Sequence, residues 1–128
     1  MIPRFRAWDK TCKTMYEADD IMYIDFEEKE ICVKSLFFEK ASRYNFDDIV
    51  LMQSTGFTDK NGKEIFEGDI VDSKGGFTTG VVGFRTDLGM FVSTLIKYNN
   101  FERLCNAHGL VKVVGNIYTN PELAGMSS

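Results

Sequence analysis

The sequence is short of proline, histidine, cysteine and long apolar runs, and each shortage narrows what the protein can be. Its 128 residues hold two prolines, Pro3 and Pro121, both near the ends, so no Pro-rich linker interrupts the body. His108 is the sole histidine, which excludes H-E-x-x-H motifs and paired-histidine metal sites. Cys12, Cys32 and Cys105 are odd in number, far apart and never in C-x-x-C spacing. That speaks against a disulfide framework and a zinc site, and it fits a reducing compartment. No apolar run approaches the about 18 residues of a membrane-spanning helix. The start, MIPRFRAWDK, lacks the apolar segment of a signal peptide. The expectation is a soluble, cytoplasmic protein with no membrane partner.

Excess positive charge is also lacking. The net charge is −4. Residues 1–50 carry eight bases and eleven acids (−3), and the remainder seven bases and eight acids (−1). Bulk phosphate binding needs clustered Lys and Arg, so nucleic acid is a disfavoured partner. The one basic cluster is Arg4, Arg6, Lys10 and Lys13, which lies beside Phe5 and Trp8.

What is present is apolar and aromatic. Hydrophobic residues make up 44% and aromatics 13%, enough for a packed core. Ile21–Phe26 and Ile31–Phe38 are β-branched and aromatic, and Glu27-Glu28-Lys29-Glu30 between them reads as the turn of an antiparallel hairpin. Ala41–Asp48 (ASRYNFDD) reads as polar and irregular. Further strands are expected at Ile49–Gln53, from Gly68-Asp69-Ile70-Val71, and at Phe77–Arg85, Met90–Tyr98 and Leu110–Val114. Lys74-Gly75-Gly76 signals a tight turn, and Gly80 and Gly83 a bulge or sharp coil. Asn100–Leu104 reads as one helical turn capped by Asn100, and the chain frays beyond Leu123. Six or seven short strands with little helix make a mainly β protein. The strand order in the second half has the layout of an SH3-like barrel.

The stretch Thr55–Val71, TGFTDKNGKEIFEGDIV, is the one most open to a chemical reading. A calcium loop with Gly62 at its sixth position would need carboxylates where Phe57 and Gly68 stand. A phosphate loop would need Gly at position 57 and Ser or Thr after Lys63, where Glu64 stands. The structural reading fits better. Asn61-Gly62 is a turn signal, Gly68 supplies a second reversal, and Ile65 and Phe66 point inward to fill the core.

Other chemistry is thin. His108 reads as a surface or capping histidine, and a Cys105–His108 pair lacks a third orienting group. The acidic pairs Asp19-Asp20, Glu27-Glu28 and Asp47-Asp48 would each offer one ligand at most to a magnesium ion if they lay on strands. Trp8 reads as a core plug. No catalytic, metal-binding or cofactor-binding residue is assigned.

Three stretches together resemble a known family. They are Arg4–Asp9 (RFRAWD) with Met15, Leu51–Val71 (LMQSTGFTDKNGKEIFEGDIV) and Val114–Leu123 (VGNIYTNPEL). In this order and spacing the chain is similar to the YopX family of phage and prophage proteins. The resemblance covers nearly the whole chain and is weak between Ala18 and Asn45. It implies an N-terminal coiled antiparallel sheet (residues 1–50) and a C-terminal SH3-like barrel (residues 51–128) forming one compact unit. It also implies a ring-like homo-oligomer in the cytoplasm of a bacterial host, and no established catalytic residues.

The expectation is therefore a non-enzymatic accessory protein without cofactors. It would act by binding, as a homo-oligomer, with aromatics buried between copies or against a host or phage protein. The alternative is a nucleic-acid-associated module, with Arg4, Arg6, Trp8 and Lys10 as its contacts.

Overall fold

The computed structural model describes residues 3–34, 41–73 and 78–125. The chain divides into two compact units, Ile2–Gln53 and Ser54–Ser128. Antiparallel strands dominate both, as the mainly β reading expected.

In the first unit β1 (Phe5–Asp9) turns back on β2 (Thr14–Tyr16). Asp9 holds the turn: its Oδ1 accepts from the Thr11 and Cys12 amides at 2.9 and 3.1 Å. A second sheet runs β3 (Ile21–Asp25), β4 (Glu30–Lys34) and β5 (Ala41–Asn45), in that spatial order. The expected hairpin is therefore present as β3 and β4, while Ser35–Phe38 lie outside the described residues. On its other side β1 pairs with the first half of β6 (Ile49–Thr58), from Phe5 opposite Gln53 to Asp9 opposite Ile49.

The core of this unit is Ala7, Tyr16, Ile31, Val33 and Ile49, flanked by Ile21, Ile24, Tyr44, Phe46 and Leu51. Each buried Ile or Val contributes on the order of 1.5–3 kcal/mol. The Tyr16 and Tyr44 hydroxyls meet at 2.8 Å. Burial first, and then that bond, push the Tyr16 phenol well above its ordinary range, so it stays neutral.

Ala41–Asp48 was expected to be irregular and is not. It forms β5, with Ser42 and Tyr44 half-buried and Ala41, Arg43 and Asn45 exposed. A short 3-10 turn, Phe46–Asp48, follows, and the Asn45 side chain caps it by accepting from the Asp47 amide at 3.0 Å. Tyr44 is the only large apolar side chain of β5 and packs on the core, so pairing with β4 rather than composition makes this a strand.

In the second unit the rest of β6 runs on to Thr58, past the expected end at Gln53, and pairs with β7 (Glu64–Phe66). Then come β8 (Asp69–Asp72), β9 (Gly80–Arg85), β10 (Met90–Leu95), β11 (Phe101–Arg103), the short helix α1 (Leu104–Ala107), a 3-10 turn (His108–Leu110) and β12 (Lys112–Asn116). The last five strands form one sheet in the order β11-β10-β9-β8-β12, so the final strand returns to lie beside the first. Its core is Ile65, Val71, Val82, Leu104 and Val111, with Phe57, Phe91 and Val113 packed against it.

Three local expectations need correction here. The β9–β10 register is unbroken from Gly80 to Arg85, so the two glycines mark no bulge. Gly80 instead lacks a side chain where Ser93 Oγ sits, and a Cβ there would collide with it. Asn100–Leu104 is not one capped helical turn: Phe101–Arg103 pair with β10, and α1 starts only at Leu104 with no side-chain cap. The described residues contain twelve strands, of which β6 has ten residues, rather than six or seven short ones. The Lys74-Gly75-Gly76 turn and Phe77 lie outside the described residues.

Candidate functional site

The polar stretch Thr55–Val71 is built around Asp59, which is 6% exposed. Asp59 Oδ1 accepts from the Asn61 and Lys63 amides at 2.8 and 2.9 Å, and Oδ2 accepts from the Val113 amide at 2.9 Å. Burial alone would raise its pKa. The three backbone donors, aided by Lys63, outweigh it and hold the carboxyl below its ordinary value. Lys60 N donates to the Val111 carbonyl, and Gly68 N to the Val82 carbonyl, at 2.9 and 2.8 Å. Ile65 and Phe66 are buried, and Thr55 Oγ1 donates to the Ile65 carbonyl at 2.7 Å. Gly62 and Gly68 take φ of +83° and +84°, the left-handed conformation that Gly adopts at little cost. Asn61 is not among the positive-φ residues, so the reversal falls to Gly62 and the Asp59 carboxylate.

The sequence candidates fare unevenly. Arg6 is 5% exposed on β1. Arg4 pairs with Asp19 at 3.4 Å, Trp8 is half-buried, and exposed Lys10 donates from Nζ to the Asp47 carbonyl at 3.1 Å. His108 Nδ1 lies 2.9 Å from the Thr58 carbonyl, and its ring stacks on Phe57 at 4.8 Å. The exposed thiol of Cys105 meets Asn106 Oδ1 at 3.8 Å. Asp19-Asp20 and Asp47-Asp48 stand in 3-10 turns and Glu27-Glu28 in the β3–β4 turn, not on strands. Among the described residues no group of three or more His, Cys, Asp or Glu side chains could hold a metal ion.

The feature that the sequence reading missed is an apolar groove in the first unit. Its volume is about 590 Å3, and Phe5, Ile21, Tyr23, Ile24 and Phe26 line it, with Arg4 and Gln53 as polar members. A register shift between Ile21 and Tyr23 breaks the alternation of β3. As a result the consecutive side chains of Met22 and Tyr23 are both exposed, at 55% and 40%. Phe26, at 61%, follows in the turn and makes edge contacts with Phe5 and Phe46 at 6.0 and 5.9 Å between ring centres. A Met-Tyr pair inside a strand pattern was the available signal, since strict alternation would bury one of the two.

A family model described as YopX protein matches residues 4–124. The chain belongs to the YopX family. Among solved structures, this YopX-family chain is similar to protein EF1440 from Enterococcus faecalis, with 29% identity and a TM-score of 0.66, over 97% of this chain and 99% of that one. It is also similar to protein yopX from Bacillus subtilis, with 21% identity and a TM-score of 0.60, over 94% of this chain and 96% of that one. The second likeness is one of fold alone. No curated protein matches the chain.

The motifs that carry the YopX resemblance occupy framework positions. Leu51–Val71 runs from β6 into β8, and Val114–Leu123 runs from β12 into the 3-10 turn Pro121–Ala124. The two stretches meet directly: Ile117 N donates to the Gly68 carbonyl at 2.9 Å, and β12 pairs with β8. Asn116 Oδ1 accepts from the Tyr118 and Thr119 amides at 3.0 and 2.8 Å, which closes the turn after β12. These family residues set strand pairing and turns.

Proposed function

We propose that this YopX-family protein is a phage- or prophage-encoded accessory protein that acts by binding proteins, itself included, and catalyses no reaction. The observation that carries the reading is apolar surface left outside both cores. Met22, Tyr23 and Phe26 stand exposed in the first unit, and Phe84, Leu88, Ile96, Tyr98 and Leu110 in the second. Apolar side chains gathered at the surface mark interaction sites, whereas scattered single ones do not.

The second unit is read as an SH3-like barrel, since its strand order is the one expected of that layout, with α1 and a 3-10 turn before the last strand. Among the described residues its outer strand β11 has one neighbour, β10, in that sheet, so a second copy can cover its edge. The place of action is the bacterial cytoplasm. No helix among the described residues is long and apolar enough to cross a membrane.

Recovery of a tagged copy from cells with an active phage, with and without nuclease, tests the reading. Retention of a defined protein partner after nuclease treatment supports it. Complete loss of all recovered material would overturn it in favour of nucleic acid.

A further inference from the structure

We infer that the groove beside β3 is a docking site for an extended peptide segment with apolar anchor residues between basic flanks. The inference rests on reading the chain as a binding protein and names the chemistry of one partner.

Shape supplies the first argument. The groove lies along β3, which among the described residues has a single sheet neighbour, β4. An outer strand can take up an extended segment by main-chain pairing, with alternate side chains dropping into pockets. The apolar lining of Phe5, Ile21, Ile24 and Phe26 suits such anchors, and the volume of about 590 Å3 lies in the range of ordinary binding pockets.

Charge supplies the second argument. Between Glu17 and Glu30 the chain carries seven acids and one base, Lys29. Asp19, Glu27 and Glu28 are exposed there, and Asp20 and Glu30 partly so. Arg4, the cation of the lining, faces Asp19. The apolar floor is therefore rimmed by negative charge, which attracts Lys and Arg and speeds encounter with a basic partner. A second copy would bring the same acidic rim against this one, and a nucleic acid would bring phosphates. Like charges oppose both.

The test uses the full chain and short fluorescent peptides with alternating Leu or Phe at the centre. One peptide has Lys and Arg flanks, one has Glu flanks, and one has Ser in place of the apolar residues. Anisotropy titrations are run at low and at physiological salt. The expected result is saturable binding of the basic apolar peptide, weakened by salt and about tenfold tighter than either control. Phe26→Ser should weaken it about tenfold, and Glu27→Lys with Glu28→Lys should weaken it and flatten the salt dependence. Leu110→Ser, in the other unit, should leave it unchanged.

Circular dichroism confirms that each variant is folded. Glu27 and Glu28 are exposed turn residues, so their variant still tests the charge argument if Phe26→Ser fails to fold. No binding of the basic apolar peptide, or equal binding of the Glu-flanked one, overturns the inference. Loss of self-association in Phe26→Ser without any peptide binding also overturns it, and makes the groove a contact between copies. In that outcome the broader reading of a protein-binding chain survives.

Discussion

At the scale of single residues, Asp59 is the side chain on which the second unit depends most visibly. One carboxylate satisfies three backbone donors drawn from its own turn and from β12. Asp59→Ala should cost about 2–4 kcal/mol, because buried amides lose charge-assisted bonds. Urea unfolding followed by circular dichroism measures it. The folded pKa lies below the unfolded value of about 3.9. The Asp59 contribution is therefore complete above that value and is lost as pH falls through the lower, folded one. The stability gap between the wild type and Asp59→Asn should shrink on acidification below about pH 4 and stay constant above about pH 6.

Gly80 gives a second residue-scale prediction. A methyl group there meets Ser93 Oγ, a buried hydroxyl with no hydrogen-bond partner. Gly80→Ala should destabilise by about 1–3 kcal/mol. Adding Ser93→Ala should return part of that loss, since the Thr94 carbonyl at 3.1 Å remains close. A double-mutant cycle of urea midpoints reads the coupling.

At the scale of elements, the polar stretch between Thr55 and Val71 is framework. It contains the end of β6, all of β7 and the start of β8. Ile65 in β7 is fully buried in the core of the second unit. Ile65→Ala should therefore cost about 2–5 kcal/mol, a penalty out of proportion for a loop residue. Thermal or urea unfolding checks it.

Much of this element was legible. Asn61-Gly62 and Gly68 announced the reversals, and Ile65-Phe66 announced the inward pair. The end of β6 was not, because Thr55, Gly56 and Thr58 look like loop residues until Thr58 pairs with Glu64 of β7, Thr55 Oγ1 donates to the Ile65 carbonyl and the Gly56 amide donates to Ser54 Oγ. The same holds for β5, where pairing with β4 makes a strand of a polar run. The groove was less legible still. Its lining joins β3 to the start of β1, and the adjacent Met22 and Tyr23 point to the β3 bulge without fixing the pairing that makes it. Arg6 shows the limit of reading charge alone: it was grouped with Arg4, Trp8 and Lys10 as a possible contact, and its side chain is buried on β1.

At the scale of the whole molecule, the proposed function is that of a small acidic β protein working through contacts with other proteins, beginning with its own copies. Seven of the ten large apolar side chains exposed among the described residues belong to the second unit, and under that proposal a second copy covers them. Self-association is the central claim and the most direct to measure. Sedimentation velocity over a micromolar concentration series, on the wild type and on Ile96→Asp with Tyr98→Asp, is the experiment. The expected result is a wild-type species several times the 14.6 kDa of one chain, shifted toward the monomer in the doubly substituted protein. A single 14.6 kDa species at every concentration would contradict it.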